Sequence, residues 1–229
     1  MKYLRVGGYF ISTLIIYLGV TLLGWGLGDV RGYFSDAPRL GYAVSAGLFS
    51  LAVGFQAFFA PEGINGSRGE DGKFVRRQRI LAMVLVYSML FALFFIPYTS
   101  RRGIAVFQVA EMIRLIEVVL SAIGYTLIFT SGVALGRQYS PDVTIQKDHR
   151  LVTSGVYRFI RHPRYLGIIS LATGVALVFL SWIGLLAWLF FSGVILFRIR
   201  DEEGAMHKEF GGEWESYCRR SWRLIPYFY

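Results

Sequence analysis

The chain has 229 residues, 55% of them hydrophobic, 17% aromatic and 17% charged. Soluble domains carry about 25% charged residues, so the composition argues against a soluble domain. The formal net charge of +9 raises the question of a nucleic-acid partner, which the distribution of charge along the chain answers below. The lone Cys218 excludes an intrachain disulfide framework and a multi-cysteine metal site.

Residues 6–28, 40–61, 80–100, 118–136 and 165–197 contain no Asp, Glu, Lys or Arg. A bilayer span needs about 20 apolar residues. Each of the first four stretches therefore predicts one helix, and the fifth predicts two short ones folded back at 181–184. The expected architecture is all-α: a polytopic membrane protein of about six transmembrane helices, with a helical hairpin and a cytosolic C-terminal helix. With a cytoplasmic N-terminus, 19 of the 24 Lys and Arg residues fall in inside segments. That asymmetry is the positive-inside rule. It explains the basicity without nucleic acid and predicts that both termini are cytoplasmic.

The first apolar run, after MKYLR, is longer than a signal-peptide core and no small-x-small cleavage site follows it. It reads as a retained helix over 4–27, with Gly7, Gly8, Gly19, Gly24, Gly26 and Gly28 as a small-residue packing face. The connector 29–39 reads as turn-like. Helix two covers about 40–60. A polar, Gly-rich loop at 66–73 leads to Arg76, Arg77 and Arg79, a basic anchor on lipid headgroups. Helix three covers about 80–97. Glu111, Arg114 and Glu117, spaced i, i+3, i+6, predict a paired entrance to helix four, which runs to about 136. The connector 136–150, with the turn signal Ser140-Pro141-Asp142, delivers the chain into 151–167.

That stretch, LVTSGVYRFIRHPRYLG, is the densest chemical cluster in the sequence. Pro163 disfavours helix at His162 and can itself begin one, so His162 is expected at the mouth of the next helix. Free N–H groups there suit an anionic ligand group. A second cluster, Arg198, Arg200, Asp201, Glu202 and Glu203, stands where the hairpin's second helix leaves the membrane. Helical spacing pairs Arg198 with Glu202 and Arg200 with Glu203. The hairpin returns this cluster to the membrane face of His162. Taken singly, His162 reads as a helix-cap residue, Arg158, Arg161 and Arg164 as an inside anchor, and the two glutamates as a solvated face. Their pairing across a hairpin reverses that for Arg161, His162, Tyr165 and Glu203.

Together, Leu151-Val152-x-x-Gly155-x-Tyr157-Arg158-x-x-Arg161-His162-Pro163-x-Tyr165-x-Gly167 and Glu202-Glu203-x-x-Met206-x-x-x-Phe210-Gly211 resemble the two signature blocks of the isoprenylcysteine carboxyl methyltransferase family. Met206 replaces the usual Leu, and Trp214 stands where a first Tyr precedes Tyr217. The resemblance covers about 136–226 and divides the chain into N-terminal helices, 1–135, and a catalytic region, 136–229. It implies S-adenosylmethionine as methyl donor, no metal, and a lipophilic small-molecule or lipidated acceptor arriving from the bilayer among membrane lipids. The favoured acceptor is a carboxylate of an isoprenoid or prenylcysteine-like molecule.

The implied cofactor-binding residues are His149, Leu151, Val152, Gly155, Tyr157, His162, Tyr165, Glu202 and Glu203. Arg161, Arg198, Arg200 and Glu203 are the implied catalytic group, with an arginine on the acceptor carboxylate. The donor's sulfonium charge disappears in the transition state, so a carboxylate at the sulfur would favour the ground state. Glu202 and Glu203 therefore belong on the ammonium or ribose. Three other readings stand beside this one. Arg200-Asp201-Glu202 and the end Ile225-Pro226-Tyr227-x-Tyr229 are similar to the membrane sterol reductases, which use NADPH. A phospholipid N-methyltransferase and a non-enzymatic lipid-binding protein are the others.

Overall fold

The computed structural model describes residues 2–59, 73–108, 111–136 and 150–228. Helix α1 (Lys2–Leu14) passes through a π-helical turn, Ile15–Gly19, into α2 (Val20–Trp25). The first predicted span is thus a single rod with one widened turn. The following connector holds a short helix, α3 (Val30–Phe34), where only a turn was expected. Its cap is Asp29, whose carboxylate accepts from the Gly32 amide at 3.0 Å. Then come α4 (Ala37–Phe59), α5 (Lys73–Arg101) and α6 (Glu111–Leu135). Helix α5 begins at Lys73, well before the predicted start at 80, and continues past Pro97.

The hairpin is formed by α7 (Pro163–Val178) and α8 (Trp182–Phe210), followed by α9 (Gly212–Arg219). Its turn falls at 179–181, just before the expected position. Ser181 caps α8 by accepting from the Gly184 amide at 3.1 Å. Among the described residues, five helical stretches are long and apolar enough to cross a membrane, and α7 is a shorter apolar helix. The protein is a multi-pass membrane protein, all-α among the described residues apart from two isolated backbone bridges. The loop at 66–72 and the connector at 137–149 lie outside the described residues, as do the side chains of Glu111 and Arg114. Glu117, expected at a helix entrance, is fully buried.

Helices α6 and α7 meet backbone to backbone. A Cβ on Gly167 would lie 2.8 Å from the Gly124 carbonyl oxygen, and one on Gly124 would lie 2.8 Å from that of Gly167. Gly167 of the first signature block is therefore a packing requirement that docks α7 onto α6. The predicted glycine face of the first helix is narrower than expected. Gly24 abuts the Phe94 backbone of α5, whereas a Cβ at Gly7, Gly8 or Gly28 would meet nothing within 4 Å among the described residues.

One end of the bundle is closed by aromatic rings. Trp25, Tyr33, Tyr42 and Phe179 form its core. The Arg39 guanidinium lies 4.4 Å over the Trp25 ring, and Arg101 donates to the Trp25 carbonyl at 2.6 Å. The connector after α5 clips the hairpin turn through Phe107 N to Leu180 O and Trp182 N to Ala105 O, both 2.9 Å. The opposite end carries both signature blocks.

Candidate active site

At that end His162 is the residue before α7, in a non-helical conformation (φ −125°, ψ 56°), with Pro163 opening the helix. The imidazole, freed from capping, faces the two glutamates of α8. Its Nε2 is 3.3 Å from Glu203 Oε1, its Nδ1 is 3.6 Å from Glu202 Oε2, and its ring stacks on Tyr165 at 5.8 Å. One turn into α7, the Tyr165 hydroxyl donates to Glu202 and accepts from Arg198 Nε at 2.9 Å. Arg198 also donates to the Gln78 carbonyl of α5 at 3.0 Å and lies 3.5 Å from Glu202.

Helix α8 explains how the glutamates reach this position. Its 29 residues extend about 43 Å at 1.5 Å per residue, against about 30 Å of hydrocarbon. Everything from Arg198 onward therefore stands outside the apolar core, on a helix rigidly continuous with the span.

Glu203 is the hub. Arg161 Nε donates to its Oε1 at 3.0 Å, and Arg223 Nη2 reaches its Oε2 at 2.6 Å. Arg161 extends further, to the Ser221 carbonyl and to the Cys218 carbonyl at 3.2 Å. The segment after α9 is laid against the His162 loop by backbone bonds. Trp222 N donates to Phe159 O at 2.8 Å, Arg161 N to Trp222 O at 2.7 Å, and His162 N to Arg223 O at 3.1 Å. Tyr217 of α9 donates to the Tyr157 carbonyl at 2.6 Å, and burial pushes its pKa up to about 12. It stays a neutral donor at any physiological pH.

The structure thus gathers His162, Tyr165, Glu202, Glu203, Arg161 and Arg198 within one network. Leu151 and Val152 are half-buried, and Tyr157 is buried as a support through its carbonyl. Gly155 has φ +60°, which a side chain would strain, in the short 3-10 turn Gly155–Arg158. Arg200 is not brought to the cluster. It is exposed, and Glu203, its expected helical partner, turns to Arg161 and Arg223 instead. His149 lies outside the described residues.

A family model described as "Isoprenylcysteine carboxyl methyltransferase (ICMT) family" matches residues 115–208. Over this block the chain is similar to the isoprenylcysteine carboxyl methyltransferase family. A probable protein-S-isoprenylcysteine O-methyltransferase of Oryza sativa subsp. indica is 26% identical over 168 residues, 67% of this chain and 78% of that protein. A protein-S-isoprenylcysteine O-methyltransferase of Schizosaccharomyces pombe is 32% identical over 111 residues, 45% of each chain. A Delta(14)-sterol reductase of Mus musculus is 34% identical over 84 residues, 35% of this chain but 20% of that protein.

Gln78 and Ser221 lie outside every sequence motif. Gln78 of α5 is fully buried, and its side-chain amide donates to Asp201, which also pairs with Arg77 at 2.7 Å. Arg223 and Ser221 complete the surroundings of Glu203 and Arg161. The family match ends at 208, before the segment carrying these last two residues. The closing Arg223-Leu224-Ile225-Pro226 also resembles the end of that family's sequences.

Proposed function

We propose that this chain transfers a methyl group from S-adenosylmethionine to the carboxylate of a lipophilic, isoprenoid-bearing acceptor such as a prenylated cysteine. The observation that carries the reading is the joining of the two signature blocks into one ionic network where the hairpin leaves the membrane. When bound, the donor supplies an electrophilic methyl on a sulfonium. Its amino-acid end needs both an acceptor and donors of hydrogen bonds, and the network holds spare capacity of the right kind. Among the described residues Gln78 Oε1 is buried with no hydrogen-bond partner. Glu202 accepts from Tyr165 and sits at longer range from Arg198 and His162.

Glu203 has less to offer, because Arg161, His162 and Arg223 already occupy both of its oxygens. In this reading Glu202, with His162 and Tyr165, holds the donor's amino end, and Glu203 positions His162 and Arg161. Arg198, 4% exposed, supplies positive charge on the bilayer side for the acceptor's carboxylate. Leu151 and Val152 form an apolar wall. The protein's contribution is orientation and exclusion of water, which methyl transfer requires most. Residues 1–135 contribute Gln78 of α5 to the site, and residues 136–229 contribute both signature blocks.

The test is direct. Purified protein in detergent with S-adenosylmethionine and an S-prenylated N-acetylcysteine should yield a base-labile methyl ester, and the free thiol analogue should not. Reduction of a sterol double bond with NADPH, without ester formation, would favour the reductase reading instead.

Both termini are assigned to the cytoplasm, on the split of basic residues. With Cys218→Ser as background, cysteines at exposed Ser35 and Arg102 should label from outside and one at exposed Glu213 from inside. The reverse pattern would overturn the orientation.

A further inference from the structure

The segment 221–228 lies deeper than its polar start suggests. Leu224 is buried with Ile195 and Ile199 of α8, against Leu166 and Ile169 of α7. Ile195 precedes Arg198, the first charge of α8, so Leu224 sits where that helix leaves the hydrocarbon. Its neighbours face outward: Tyr227 is 89% exposed and Phe228 85%, with Trp222 and Ile225 also exposed. The backbone pairing with the His162 loop sets exposed Phe159 beside Trp222. Aromatic rings of this kind collect at the headgroup level of a bilayer.

Beside this collar opens a groove of about 440 Å³ lined by Thr153, Arg158, Phe159, Tyr217 and Arg220. The charge of its described lining residues is entirely of one sign. Among the described residues neither Arg158 nor Arg220 makes an ion pair, and the Arg158 guanidinium rests 5.8 Å over Phe159. The groove is distinct from the glutamate network, whose arginines are Arg161, Arg198 and Arg223. The Tyr217 hydroxyl, committed to the Tyr157 carbonyl, leaves the two guanidinium groups as its charged donors.

Two arginines without a carboxylate, at headgroup depth beside outward-facing rings, fit one ligand chemistry. We propose that this groove binds the phosphate of an anionic phospholipid in the adjacent leaflet, with Arg158 and Arg220 as its donors, docking the 221–228 segment on the membrane. The site does not depend on methyl transfer. Attraction of this kind is about 1 kcal/mol per basic residue near an anionic surface, so the pair should favour anionic over zwitterionic lipid by about thirtyfold.

Native mass spectrometry of the full chain in detergent, titrated with phosphatidylglycerol and with phosphatidylcholine, reads this directly. The parent protein should retain one phosphatidylglycerol at concentrations where phosphatidylcholine is lost. The Arg158→Gln/Arg220→Gln protein should lose that preference, and the Arg158→Lys/Arg220→Lys protein should keep part of it. Melting temperatures close to the parent's would show that both variants are folded. Retention of phosphatidylglycerol by the Gln variant would overturn the proposal, as would equal retention of the two lipids by the parent. Displacement of the lipid by millimolar inorganic phosphate would instead make this a site for free phosphate and overturn the lipid assignment.

Discussion

The two ends of the helical bundle both hold arginines beside aromatic rings, yet they are built differently. At the hairpin-turn end, Arg39 lies over Trp25, and Arg101 bonds the Trp25 carbonyl and lies 3.7 Å from Asp29. Both of these cations meet a ring, a carbonyl or a carboxylate within a closed joint between neighbouring helices. At the signature end, Arg161, Arg198, Arg223 and His162 converge on two adjacent glutamates from three chain segments. An orphaned amide oxygen on Gln78 remains beside them. Charge at a membrane boundary is thus no evidence of a site by itself. Convergent charge with spare hydrogen-bonding capacity is.

The comparison breaks most visibly at Arg161. Its removal leaves Glu203 short of one partner and frees the Ser221 and Cys218 carbonyls. Loss of one partner from a buried pair costs about 3–5 kcal/mol, and this pair is nearly buried, with side chains 9% and 12% exposed. Arg161→Ala should therefore lower the melting temperature markedly and open the 221–228 segment to protease in a limited digest. A protein as stable and as resistant as the parent would mean that the tail is held elsewhere.

His162→Ala and Tyr165→Phe should separate binding from folding. Each removes a hydrogen bond to a charged group, worth about 1.5–3 kcal/mol, or roughly ten- to a hundredfold in donor affinity. Neither vacates a large part of the core. Isothermal titration with S-adenosylhomocysteine should show the weakening at a melting temperature near the parent's.

At the other end the pattern should invert. Arg39→Ala removes a cation–π contact and two carbonyl bonds, to Tyr33 and Gly32 at 3.0 Å each. It should cost about 1 kcal/mol of stability and leave donor affinity unchanged. A matching loss of affinity would mean that the two ends are coupled through the bundle.

Much of this organisation was legible in the sequence. Uninterrupted apolar runs located the spans, because lipid-facing helices are constrained to be apolar throughout. Pro163 located the start of α7, and the length of the last charge-free run required a hairpin. That His162 and Glu203 meet followed from these two facts together with the motif.

What escaped was contact without period or motif. Gln78 and Asp201 are 123 positions apart, and no local pattern announces such a pair. The i, i+3 rule paired Glu203 with Arg200, but α8 at that point offers Glu203 two better-placed arginines from outside the helix. The role of Ser221 arises from a backbone carbonyl, which a side-chain pattern does not encode.

The central claim is that the glutamate network receives the amino-acid end of a methyl donor. Titration of Glu202→Gln and parent proteins with S-adenosylhomocysteine and with NADP, at low and moderate salt, tests it most directly. A carboxylate attracts the donor's ammonium and repels the dinucleotide's phosphates, so the two ligands respond with opposite sign. The account predicts that the parent binds S-adenosylhomocysteine and that Glu202→Gln weakens this binding by about tenfold, the effect of one charge-assisted hydrogen bond. Binding of NADP by the parent, strengthened in Glu202→Gln, with no binding of S-adenosylhomocysteine to either protein, would contradict it.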